Sequence, residues 1–302
     1  MKQLVASLPE PRSDVRFAIM TRVAICVVVA GLSLTAPLYS QVPQAPAAAP
    51  APLKPNPRGP LYQRTGEQYR VYEFPGTTES IPYRLFVPSR WKPGARLPLL
   101  VTLRAGQSVD NPYRDPNTLV SEAERRGYLV VTPMGYRPLR QPYYGSKYQI
   151  ARPNAPAPAD GWTPQEDERA EQDVLNVIDL VTQEYGVDTT RIFLHGQNPS
   201  GSGALHLGAK YPDRFAALVI SSGPIVFDSY PWDRIKGKMG LLVIHGDQDT
   251  TNPMEASKRM ADAAKAAGVN AAYATVPGGT HLAAYLTYAS QIYDFLDSQQ
   301  KR

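Results

Sequence analysis

Hydrophobic residues in this chain fall into short runs of two kinds. Leu97 to Leu103 is nearly continuously apolar, as expected of a strand covered on both faces. Tyr128 to Thr132, Arg191 to His195, Ala216 to Ile220, Leu241 to His245 and Ala271 to Val276 are further strand predictions. Between them lie helical segments. Glu166 to Tyr185 is the strongest, with Ala170, Val174, Val177, Ile178, Val181 and Tyr185 on one apolar stripe that Gly186 ends. Asn117 to Arg126, Ala204 to Tyr211, Met254 to Ala267 and Leu282 to Leu296 are the other predicted helices. Near the start, Tyr69 to Phe74 and Tyr83 to Val87 are rich in aromatic and β-branched residues and flank Pro75-Gly76, which predicts an antiparallel pair. Helices alternating with apolar strands predict an α/β fold. It is a doubly wound, mostly parallel sheet flanked by helices, with antiparallel strands at its N-terminal edge and the site at the strand ends.

The residues ahead of the domain read differently. Arg12, Arg16 and Arg22 precede the apolar run Val23 to Leu34, and Ala36 and Ser40 follow as small residues. This predicts a signal peptide over residues 1–40, with Met20 as an alternative start, and an exported protein, periplasmic or secreted. The other reading is an uncleaved anchor, for which the run is short against the ~20 residues of a span. Once the leader is removed, no stable membrane span is expected. Residues 41–60 are rich in Ala and Pro and predict an extended linker, leaving 61–302 as one domain.

Charge and cysteine usage narrow the chemistry. The net charge of +5 is dispersed among acidic residues, which gives nucleic-acid binding little support. Cys26, the single cysteine, lies inside the leader, so the mature chain has neither a disulfide nor a thiolate nucleophile. No dinucleotide or phosphate-binding glycine motif is present, and no cofactor is expected.

The stretch from Arg191 to Gly223 reads as a strand, a sharp turn, a helix and a strand, and its turn is Gly196-Gln197-Asn198-Pro199-Ser200. Further on come Ile244-His245-Gly246-Asp247-Gln248-Asp249 with Pro253, and then Gly279-Thr280-His281 before the last helix. From about Tyr69 onward, these motifs in this order resemble the α/β-hydrolase superfamily. The nearest members are exported esterases, polyhydroxyalkanoate-depolymerase-like and prolyl-oligopeptidase-like proteins. The resemblance implies a serine esterase or peptidase with its nucleophile on a G-x-S-x-G elbow, Asp249 as the acid and His281 as the general base. A carboxylate is needed there to fix the imidazole tautomer and stabilise the imidazolium. Asp247 is the less favoured acid. A turn-capping Asp249 and a loop-bonding His281 are the plainer alternatives.

Three positions depart from that pattern. Asn198 stands where serine should, and its amide nitrogen cannot be activated as a nucleophile. Pro199 follows and has no N–H to offer an oxyanion. After the strand Leu97 to Leu103, Arg104-Ala105 stands where the family carries a His-Gly pair. One lost oxyanion donor costs ~10²–10³ in turnover. Asparagine does tolerate the positive φ of an elbow, so the turn survives where the chemistry does not.

Two functions compete. One is a degenerate site of serine esterase or peptidase type, with impaired or lost catalysis, that binds a small-molecule or polymer acyl or ester ligand. The other is an active carboxylic-ester hydrolase using a relocated Ser200, or Ser202, with His281 and Asp249. Otherwise the two serines serve as small packing and capping groups. The insertion at about residues 134–164 carries Tyr136, Tyr143, Tyr144 and Trp162 among basic residues. It reads equally as a substrate-binding lid and as packing onto the domain. A metal set of His195, Asp249 and His281 lacks any ligand spacing to support it.

Overall fold

The computed structural model describes residues 63–103, 119–136, 164–223, 230–282 and 284–301, all within the unit Pro50–Arg302. In chain order the strands are β1 (Gly66–Glu73), β2 (Ser80–Val87), β3 (Leu97–Leu103), β4 (Leu129–Pro133), β5 (Val187–Gln197), β6 (Ala217–Ser221), β7 (Gly240–Gly246) and β8 (Asn270–Val276). Among the described residues the helices are α1 (Leu119–Arg126), α2 (Pro164–Tyr185), α3 (Pro199–Lys210), α4 (Met254–Ala266), α5 (Ala284–Thr287) and α6 (Ala289–Asp297), with a 3-10 turn at Trp232–Arg234. The strands form one eight-stranded sheet in the order β1-β2-β4-β3-β5-β6-β7-β8. β1 pairs with β2, and β2 with β4, in antiparallel fashion; all other pairs are parallel.

The apolar runs are continuous because both sheet faces are covered. Alternate residues of one strand enter different cores: Leu99, Val101 and Leu103 pack with Val174, Val177 and Val181 of α2, while Leu100 packs in the other layer with Leu119 of α1 and Ile292 of α6. β7 alternates in the same way, with Leu241 and Val243 on one side and Leu242 and Ile244 on the other. Every residue of β7 is buried. Burial on two faces removes the polar alternation that a half-exposed strand would show.

The chain reverses direction across the sheet at β3. It moves from β3 to β4 on one side and then crosses to β5 on the other. The register sets Leu103 beside Gly196, Gln197 beside Ser221, Ser221 beside Ile244 and Gly246 beside Val276. The carboxyl ends of five strands therefore share one edge, where loops of such a sheet form a crevice.

Some boundaries differ from the expectation. β5 begins at Val187, four residues before the apolar run at Arg191, because the polar Asp188-Thr189-Thr190 continues the strand past an irregularity opposite Leu97 and Leu99. Asp188 satisfies this stretch, accepting from the Thr190 backbone N–H at 3.0 Å and the Arg191 guanidinium at 2.8 Å. α3 starts at Pro199 rather than Ala204, since proline suits the first helical position. The predicted helix Leu282 to Leu296 is two helices, α5 and α6, broken at Tyr288. The expected leader, the linker and residues 137–163 of the insertion lie outside the described residues. No helix among the described residues is long and apolar enough to cross a membrane.

Candidate active site

At the end of β5 the backbone turns sharply into α3. Asn198 has φ 49° and ψ −120°. A non-glycine residue there costs about 1–3 kcal/mol, which the surroundings must offset. The Asn198 N–H donates to the Ser221 carbonyl at 2.9 Å, and its carbonyl accepts from the Gly201 N–H at 3.0 Å. Gly196 allows the helix to fold back onto the strand, since a Cβ there would stand 2.3 Å from the Ser200 carbonyl oxygen. Pro199 is the first residue of α3 and by its chemistry brings no backbone donor.

Side chains from three loops meet at this turn. Asp249, in the turn between β7 and α4, accepts at Oδ1 from the backbone N–H groups of Thr251 at 2.8 Å and Asn252 at 3.0 Å. Its Oδ2 stands 2.8 Å from His281 Nδ1 and 3.0 Å from His245 Nε2. The Asp249 side chain is fully buried and that of His281 is 14% exposed. Burial by itself raises the Asp249 carboxyl. The hydrogen bonds from Asn252, His281 and Thr251 outweigh it, holding the group below the ordinary carboxylate range. The ionised Asp249 makes Nδ1 of His281 the protonated nitrogen and leaves Nε2 facing away from the carboxylate.

Asn252 joins the two halves of this arrangement. Its Nδ2 donates to Asn198 Oδ1 at 2.9 Å and to the Ser222 carbonyl at 2.9 Å. From below, Gln197 Nε2 donates to the His281 carbonyl at 2.7 Å and so ties the histidine loop to the elbow strand. A Cβ on Gly246 would stand 2.0 Å from the Gly279 carbonyl, so glycine is required where the acid turn passes the histidine loop.

Of the residues singled out in the sequence, Asn198, Asp249 and His281 thus gather at one point. Ser200 is fully buried in the first turn of α3, and Ser202 is 2% exposed. Tyr136 is also buried. Its ring packs edge-on against Phe74 at 4.9 Å, and its hydroxyl meets Glu79 and the Arg169 guanidinium. It therefore packs the root of the insertion onto the domain. Arg104, Ala105, Tyr143, Tyr144 and Trp162 lie outside the described residues.

His195 is 3% exposed, and its Nε2 meets Ser221 Oγ at 2.9 Å rather than Asp249. Burial pushes it down to about 4, so it is neutral at physiological pH. His206 joins α3 to α2 through Glu171 Oε1 at 2.5 Å, and Lys210 reaches the same carboxylate at 2.6 Å. Among the described residues, no group of three or more His, Cys, Asp or Glu could hold a metal ion.

The sequence reading assigns no role to Asn252, Gln197 or His245. His245 shares Asp249 with His281 and is fixed on its other nitrogen by Ser257 Oγ at 2.7 Å. The one local hint was Asn252 directly before Pro253, in the loop that carries Asp249.

A mostly parallel, doubly wound sheet with a strained elbow after β5, an acid after β7 and a histidine after β8 defines an α/β-hydrolase fold. The Esterase family model, described as "Putative esterase", matches residues 76–287, and the chain belongs to that family. The bifunctional acetylxylan esterase/xylanase XynS20E of Neocallimastix patriciarum is 26% identical over 166 residues, 55% of this chain and 21% of that protein. "Probable acetylxylan esterase A" of Aspergillus clavatus is 23% identical over 168 residues, 54% of this chain and 48% of that protein. The matches therefore span about half of the second relative and about a fifth of the first. Among solved structures, a thermostable esterase superposes with a TM-score of 0.57 at 20% identity, covering 78% of this chain and 63% of the other.

Proposed function

We infer that this esterase-family protein holds an ester- or acyl-type ligand at the carboxyl edge of its sheet without two-step serine acyl transfer. The observation that carries this is the elbow itself. Asn198 occupies the strained position, its Oδ1 is engaged by Asn252, and the elbow residue thus offers no hydroxyl to the Asp249–His281 pair. Pro199 removes the neighbouring oxyanion donor as well.

The ligand class follows from the relatives. Two of them are named as acetylxylan esterases, so an acyl ester, free or on a polysaccharide, is the class proposed. Export through the leader at residues 1–40 would bring the domain to such polymers, and Tyr143, Tyr144 and Trp162 are proposed as substrate-binding residues.

A relocated Ser200 is the less favoured mechanism, because its hydroxyl is fully buried and withheld from any ligand in the crevice. Turnover of an aryl acetate by the purified protein and by a Ser200→Ala variant tests this. The expected result is no turnover above a heat-inactivated control in either protein. Turnover lost only in the variant would overturn the proposal.

A further inference from the structure

The hydrogen bonds around Asn252 determine which end of the Asn198 amide it engages and which end it leaves over. The Ser222 carbonyl only accepts, so the Asn252 atom 2.9 Å from it is the nitrogen. That nitrogen also lies 2.9 Å from the Asn198 amide, so the Asn198 atom facing it is the oxygen. The Asn198 Nδ2 group is thereby turned the other way. It has no hydrogen-bond partner among the described residues, and neither has His281 Nε2. The nucleophile position thus carries an amide with two N–H donors, and the same site holds an imidazole whose Nδ1 is bound by Asp249. Asn198 also caps the N-terminus of the twelve-residue helix α3, whose dipole favours negative charge there.

A serine elbow offers a hydroxyl to a neutral ester carbonyl, whereas this elbow offers donors to an acceptor. We propose that the site binds the carboxylate of an organic acid, the acid half of an ester. One carboxylate oxygen accepts from Asn198 Nδ2–H, and the carboxylate also accepts from Nε2–H of protonated His281. Asp249 balances the imidazolium, and His245, 3.0 Å from the same Asp249 oxygen that meets His281, helps hold that carboxylate in place. No covalent step is involved. This rests on the proposed absence of acyl transfer and adds the charge of the ligand.

The test is calorimetric titration of the full chain with sodium acetate and sodium cinnamate, each set against its methyl ester. The acids should bind saturably, about tenfold or more tighter than their esters, since a hydrogen bond to a charged group is worth that much. Asn198→Asp should abolish acid binding by placing like charges together. Asn198→Ala should weaken it about tenfold, and the His281 ring resonances should move on acid addition only in proteins that bind. Esters that bind while acids do not would overturn this inference and leave the proposed function standing. If neither binds, both fall. Acid binding that survives Asn198→Asp would also overturn it.

Discussion

Asn252 links the elbow residue to the strand beside it, donating at 2.9 Å both to Asn198 Oδ1 and to the Ser222 carbonyl. Removing that amide leaves the carbonyl and the elbow oxygen without their donor. Asn252→Ala is expected to lower stability by about 1–3 kcal/mol in urea unfolding. Asn252→Asp should cost more, because a carboxylate would face two oxygens. Wild-type stability in both variants would show that this bridge contributes nothing.

Asp249 predicts a pH dependence with a definite sign. Its folded carboxyl sits below the ordinary range, so its contribution is present above the unfolded value of about 3.9 and is lost as the pH falls through the folded value. Asp249→Asn should be less stable than wild type by about 1–3 kcal/mol at neutral pH. The gap should close as the pH is lowered below about 4. A gap that stays constant into strong acid would contradict the assignment.

His195 works at milder pH. Burial lowers it from 6.5 to about 4, so the unfolded chain takes up a proton in this interval that the folded chain does not. Stability should therefore fall as the pH drops from 6.5 towards 4, by about 3 kcal/mol in total. His195→Gln should flatten that part of the profile, and the wild-type His195 ring resonances should stay unshifted down to about pH 5. A ring that titrates near its unperturbed value would contradict the burial argument.

Two glycines set the shape of the site. A Cβ on Gly196 would stand 2.3 Å from the Ser200 carbonyl oxygen, and one on Gly246 would stand 2.0 Å from that of Gly279. Neither obstacle is the end of a flexible side chain. Gly196→Ala and Gly246→Ala are each expected to cost about 1–3 kcal/mol or more in thermal unfolding, through backbone displacement at the elbow and the histidine loop. Neutral substitutions would mean that the helix and loop approach less closely than described.

The architecture was legible in the sequence because the sheet is covered on both faces. Runs such as Leu97 to Leu103 and Leu241 to His245 had to be apolar throughout, and their alternation with helices carried the topology. The parts that escaped were those fixed by individual hydrogen bonds rather than by a hydrophobic pattern. Asp188-Thr189-Thr190 extends β5 only because Asp188 satisfies that stretch locally, and no periodicity marks this. Asn198, Asp249 and His281 were visible as motif positions. Asn252 meets Asn198 across 54 residues and Gln197 meets His281 across 84, so neither contact leaves a local signal. Tyr136 reads equally as a ligand contact or a packing residue in sequence, and its contacts with Phe74, Glu79 and Arg169 show the packing.

The central proposal is that Asn198, with Pro199, ends serine-dependent acyl transfer beside a paired Asp249 and His281. Restoring the hydroxyl and the adjoining N–H together, as Asn198→Ser with Pro199→Met, should create reactivity beside His281 and Asp249. A silent double variant would assign a further loss to Arg104-Ala105.

The most direct measurement is labelling of both proteins with a fluorophosphonate, followed by intact-mass determination. The wild-type protein is predicted to remain unlabelled while the double variant takes up one equivalent. One equivalent on the wild-type chain, at Ser200 or any other serine, would contradict the account.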